Sequence, residues 1–146
     1  MNLACKIHTP KFGALVFIHT LTPRFNDMDI YNHVNNAVYL SYLEEARIAY
    51  MTAIGLRGLF NRQRSTVVAH ASVDYKSPAH FGDTLDIEVK IGEIRNTSYE
   101  LVYRVVRRQD GALIAAGRTV QVCFNFELNV PTRLPDEWRT LLQVGT

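Results

Sequence analysis

The hydrophobic pattern along this chain changes period near Gly55. Over 38–54 the apolar residues recur at helical spacing. At 100° per residue, Tyr39, Leu43, Ala46, Tyr50 and Ala53 gather on one side, opposite Ser41, Glu44, Glu45, Ile48 and Thr52. Gly55 then supplies a C-terminal stop. Beyond the polar loop at 57–65 the period falls to two. Val67, Ala69, Ala71, Val73 and Tyr75 alternate with Val68, His70, Ser72, Asp74 and Lys76. The same alternation continues through Leu85, Ile87, Val89 and Ile91, then Tyr99, Leu101, Tyr103 and Val105, then Val120, Val122, Phe124 and Phe126. A first strand fits 14–23, a polar turn fits 26–35, and a short closing helix fits 135–143.

The breaks between these strands carry turn formers: Ser77-Pro78 with Gly82-Asp83, then Arg95-Asn96, then Asp110-Gly111. Short turns imply antiparallel neighbours. The element order, one strand, one long helix and four long strands, predicts an α+β layer architecture. The helix is unusually apolar for one with a solvent face, so it is expected to be wrapped by a curved, mostly antiparallel sheet of about five strands.

The chain has 146 residues, 47% hydrophobic and 21% charged. That composition fits a single domain over 1–146 with a substantial core, with 1–11 as a flexible lead-in. A net charge of +2 gives no electrostatic footprint for nucleic acid. No apolar run is long enough for a membrane span, and the N-terminus lacks the pattern of a secretory signal. Cys5 and Cys123 form no paired motif, which fits thiols in a reducing cytoplasm.

The chemistry concentrates in one stretch, RFNDMDIYNHVNNAVYLSYLEEAR, running from Arg24 to Arg47. Asp27, Asp29 and His33 fall in a polar turn that opens directly onto the helix. A carboxylate just ahead of a helix N-terminus pairs a base or nucleophile with free N–H groups able to hold a developing oxyanion. That combination suits acyl transfer. Asp27 and Asp29 are two apart, so in an extended stretch their side chains point apart, and Asp27 reads as loop-ordering. Asn35 is a good cap type. No further acidic or histidine cluster has metal-ligand spacing, so no metal is expected. Glu44 and Arg47 can pair on the helix. Lys76 and Arg64 are candidates for phosphate groups on charge alone.

Two stretches carry a family resemblance. One holds Phe25, Asp27, Asp29, the run His33 to Ala37, Tyr39, and Glu44 to Arg47. The other runs from Val73 to Pro78 and from Gly82 to Leu85. With the strand order, these resemble the hotdog fold, in its 4-hydroxybenzoyl-CoA thioesterase-like branch. The resemblance implies an acyl-CoA thioesterase whose catalytic carboxylate is Asp29 and whose oxyanion donor is the backbone amide at or near Asn36. His33 is placed beside them to orient the carboxylate, contact substrate or hold backbone. Tyr39, Glu44 and Lys76 are the substrate-binding candidates. The resemblance also implies a homodimer or homotetramer with coenzyme A along the subunit interface, and no cofactor beyond the coenzyme A of the substrate. His33 to Ala37 stands where the aromatic-acyl prototype is more apolar, a form common among relatives acting on other acyl-CoAs.

Competing readings remain open from the residues. A second hotdog branch uses a glutamate on the central helix, for which Glu44 and Glu45 are available. A noncatalytic acyl-CoA-binding module would leave Asp29 idle. An enoyl-thioester hydratase or dehydratase would need Asp29 and His33 as a dyad. A carrier-protein thioester can replace the coenzyme A form.

Overall fold

A computed structural model describes residues 7–8 and 16–144. The expected lead-in at 1–11, and Cys5 within it, lie outside the described residues except for Ile7–His8. The strands are β1 (Ile7–His8), β2 (Val16–Leu21), β3 (Ser65–Tyr75), β4 (Leu85–Ile94), β5 (Ser98–Arg107), β6 (Leu113–Asn125) and β7 (Val130–Pro131). The helices are α1 (Val38–Ala53) and α2 (Asp136–Gln143). All strand pairs are antiparallel, in the order β1-β2-β4-β5-β6-β3, with β7 added to β6. Five strands are long, as the pattern predicts, and they curl into a half-barrel.

The order explains the path of α1. β2 and β3 are consecutive long strands but lie towards opposite edges, so the helix joining them must cross the sheet face. It buries Tyr39, Tyr42, Leu43, Ala46, Tyr50 and Met51. The sheet answers with Leu85, Ile87 and Val89 from β4 and Tyr99, Leu101, Tyr103 and Val105 from β5, all essentially inaccessible. Burial of side chains of this size contributes about 1.5–3 kcal/mol each. Trp138, Leu134 and Leu142, in and beside α2, close one end of the same core.

β6 departs from its apolar alternation. Its inner face carries Thr119, Gln121 and Cys123, while Val120, Val122 and Phe124 are only partly buried. Register decides this: Leu101 pairs with Thr119 and Tyr99 with Gln121, so those residues share the core face. The inward polar groups are linked, with Tyr103 Oη 2.8 Å from Thr119 Oγ1 and the Gln121 amide donating to Thr119. β3 departs too. A bulge between Val68 and His70 interrupts its alternation, and most of the strand is exposed because it forms the sheet's edge.

Helix and sheet approach closely at Gly117. A Cβ there would lie 2.7 Å from Leu43 Cδ1 and 3.3 Å from the Ser72 carbonyl oxygen. Leu43 is fully buried and the carbonyl belongs to the backbone, so neither has free space to enter. Gly117→Val is expected to destabilise the fold by about 2 kcal/mol. A lowered urea midpoint with an unchanged slope would report it.

Candidate active site

The loop ahead of α1 is built by Asp27 and shaped around Asp29. A 3-10 turn spans Phe25–Asp27. The Asp27 carboxylate is buried, and its Oδ2 accepts from the Arg24 N–H at 2.8 Å and from the Tyr42 hydroxyl at 2.6 Å. Burial alone would raise its pKa. The Tyr42 and Arg24 hydrogen bonds outweigh that and hold the carboxyl below the usual range. Burial and the same Asp27 bond push the Tyr42 phenol upward. The Asp27 carbonyl in turn accepts the Asn35 N–H at 2.8 Å, which ties the two ends of the loop together.

Within that frame, Met28 and Val34 form an isolated bridge. Asp29 N–H donates to the His33 carbonyl at 2.7 Å, and Asn32 takes a positive φ of 58° to close the turn. The Asp29 side chain is clamped by backbone: Oδ1 accepts from the N–H groups of Tyr31 at 2.9 Å and His33 at 3.1 Å. Its other oxygen, Oδ2, has no hydrogen-bond partner among the described residues. The two aspartates therefore differ in their partners: Asp27, at the end of the 3-10 turn, holds the loop to Tyr42, and Asp29 leaves one oxygen free of them.

A cleft of about 430 Å³ opens between this loop and the end of β3. Asp29, His33, Asn36, Tyr39 and Lys76 all line it, together with Val34, Tyr75, Ser77 and Pro78. At the helix entrance, Ala37 N–H donates to Asn35 Oδ1 at 3.0 Å and Val38 N–H to the Asn35 carbonyl at 2.9 Å. The Asn36 N–H has no acceptor among the described residues. An N–H without an acceptor at a helix start and a carboxylate with a spare oxygen thus line one cleft, where a carbonyl could meet both a donor and a base.

His33 meets Asp29 through its backbone rather than its ring. The ring instead packs edge-on against His80, with centroids 5.0 Å apart. His80 N–H is capped by Asp83 Oδ2 at 2.9 Å, and Arg107 lies 3.4 Å from that oxygen. Tyr39 is buried and forms the cleft's inner wall. Burial raises its pKa, countered by the Ala79 N–H at its hydroxyl. Lys76 is exposed at the rim and has no carboxylate partner among the described residues.

Glu44 does not line the cleft. Its side chain is 61% exposed, with one oxygen 3.7 Å from Arg47, whose own side chain is largely covered. Glu45 is exposed and pairs with His19 at 2.9 Å. Arg64 belongs to the loop after α1 and also lies outside the cleft. Among the described residues no group of three or more His, Cys, Asp or Glu is placed to hold a metal ion. None of the described helices is long and apolar enough to cross a membrane.

The alternation along the chain marks Tyr75 as one of a strand's apolar positions and not as a site residue, yet it is half-exposed in the cleft. Its ring sits edge-on to Tyr39 at 5.3 Å, and its hydroxyl donates to the Asn36 carbonyl at 2.7 Å. The sequence signal was its place at the end of β3, immediately before Lys76.

Comparison with known proteins bears on the fold and the family. The chain is 29% identical over 125 residues to the 1,4-dihydroxy-2-naphthoyl-CoA hydrolase of Synechococcus elongatus, covering 83% of this chain and 90% of the hydrolase. It is 28% identical to the long-chain acyl-CoA thioesterase FadM of Escherichia coli, covering 80% of this chain and 89% of FadM. The fold superposes on a predicted thioesterase from Bacillus stearothermophilus with a TM-score of 0.81 and 27% identity, covering 90% of this chain and 96% of the other. The thioesterase-like superfamily matches residues 23–142, well over half of the sequence, and this chain belongs to that family.

Proposed function

We propose that this protein is an acyl-CoA thioesterase that hydrolyses an acyl-CoA to a carboxylic acid and free coenzyme A. The observation that carries the reading is the cleft itself, which pairs the clamped Asp29 carboxylate with the unclaimed Asn36 N–H. In the reaction, an oxygen nucleophile, either water or the Asp29 carboxylate, bonds to the thioester carbon and the C–S bond breaks, the thiolate leaving to take up a proton that water supplies. The carbonyl oxygen carries negative charge at the tetrahedral stage, where the Asn36 N–H can donate to it. Asp29 serves either as base, taking the proton from water, or as nucleophile, forming an anhydride that water then opens. Both routes return the same products, and the thiolate is a good leaving group in each.

Tyr39 forms the inner wall for the acyl group, and Lys76 at the rim offers a cation to coenzyme A phosphates. An acyl group on a carrier protein presents the same thioester and can enter the same cleft. The named relatives act on an aromatic and on a long-chain thioester, so both classes belong in the substrate panel. The site is completed by a second copy of the chain, as a homodimer or homotetramer. This is supported by β3, an eleven-residue edge strand whose outer side has no partner among the described residues. We place the protein in the cytoplasm, which fits Cys123 as a buried free thiol.

The test is thiol release, followed with a thiol-reactive dye, across short, medium, long and aromatic acyl-CoAs. A crotonyl thioester is followed in parallel by its enoyl absorbance. Thiol release with the acid formed supports the reading. Loss of the enoyl band without thiol release points to hydration instead. Because the proposed donor is backbone, Asn36→Ala is expected to keep hydrolysis within about fivefold of wild type, against the roughly 100-fold or greater loss typical of deleting an oxyanion donor.

A further inference from the structure

Three consecutive N–H groups open α1, and two are consumed locally: Ala37 by the Asn35 side chain and Val38 by the Asn35 carbonyl. The third, Asn36 N–H, is useful only if it stays aimed into the cleft. Its peptide is anchored on one side, where Asn35 N–H bonds to Asp27 and the Asn35 carbonyl accepts Val38. On the other side, Asn35, Asn36 and Ala37 are all exposed, and no core packing holds them. The 36–37 peptide on that side is tied locally by the Ala37 N–H on Asn35 Oδ1, and across the cleft by the Tyr75 hydroxyl, which donates to the Asn36 carbonyl at 2.7 Å from 39 positions away. Tyr75 can act as a stop because its ring rests against Tyr39, which is buried in the core. The bond also spans the cleft's two walls, joining the end of β3 to the helix entrance.

We propose that Tyr75 is a positioning residue for hydrolysis, its hydroxyl holding the Asn36 carbonyl and through it the orientation of the preceding peptide, whose N–H meets the oxyanion. This rests on the thioesterase reading above. The ground-state carbonyl needs the donor less than the tetrahedral stage does, so loss of aim should appear in the chemical step rather than in substrate binding. Tyr75→Phe removes the hydroxyl and keeps the ring contact with Tyr39.

The experiment compares wild type and Tyr75→Phe in thiol release, thermal midpoint and affinity for two analogues. One is a non-hydrolysable thioether of the acyl-CoA. The other is a fluoroketone whose hydrate resembles the tetrahedral intermediate. The expected result is a fall in kcat of about 10- to 100-fold, with KM within about twofold and an unchanged midpoint. Fluoroketone affinity should fall with kcat/KM, while thioether affinity holds. A kcat loss under about tenfold, equal weakening of both analogues, or a fall in midpoint that accounts for the lost activity overturns the proposal and leaves the thioesterase reading standing. Absence of thiol release by wild type overturns both.

Discussion

Asp29→Asn is expected to lower kcat for thioester hydrolysis by about 100- to 10,000-fold while leaving the protein folded. The two halves of that expectation come from the two carboxylate oxygens. Oδ1 is held by the Tyr31 and His33 N–H groups, and an asparagine oxygen can accept the same two bonds. The loop therefore keeps its shape and the melting temperature should stay within about 2 °C, less than a 1 kcal/mol change would give. Oδ2 is the oxygen with no partner among the described residues, and the amide that replaces it can neither take a proton from water nor attack a thioester. Parallel kinetics and thermal melts on the purified variant check both halves. A full hydrolytic rate in a folded variant would transfer the chemistry to another group, such as a glutamate on α1.

The neighbouring aspartate should behave in the opposite way. Asp27→Ala is expected to cost about 3 kcal/mol of stability, because it strands the buried Tyr42 hydroxyl and the Arg24 N–H that now share one oxygen. Denaturant titration measures it. The pH dependence follows from the depressed Asp27 pKa. A carboxyl with a folded pKa below its unfolded value stabilises the fold above the unfolded pKa, near 4, and loses that contribution as pH falls through the folded value. Wild type should therefore lose more stability than Asp27→Ala between about pH 5 and pH 2. Identical acid limbs in the two proteins would mean that the buried carboxylate adds nothing to the fold.

Local elements of this protein were legible because their signals are local. The period of 38–54 and the stop at Gly55 locate α1 to within a residue. The division between Asp27 and Asp29 holds in the structure but not for the reason spacing offers, since Asp27 ends a 3-10 turn rather than an extended stretch and is set apart by its bonds to Arg24 and Tyr42. The sheet's inward faces were less legible, because register is set between strands. The valines of β6 make a convincing apolar face in one dimension, yet pairing with Tyr99 and Leu101 turns Thr119 and Gln121 inward. The bulge in β3 leaves no mark in its alternation of small and apolar residues.

The candidate site divides along the same line. Asp29, His33, Asn36 and Tyr39 lie within one short stretch of chain, and family resemblance was enough to group them. Lys76 reaches them only because β3 ends beside the start of α1, and Glu44 falls away because the second turn of the helix has already left the cleft. Tyr75 and His80 touch site residues across long loops of sequence, through contacts that exist only once β3 has paired with β6 and α1 has crossed the sheet.

The most direct test of the central claim is coenzyme A release from the best acyl-CoA substrate by wild type and Asp29→Asn, side by side at equal folded concentration. The expected result is stoichiometric acid and thiol from wild type and a rate at least about 100-fold lower from the variant. No thiol from any acyl-CoA in the panel, or equal rates from the two proteins, would contradict it.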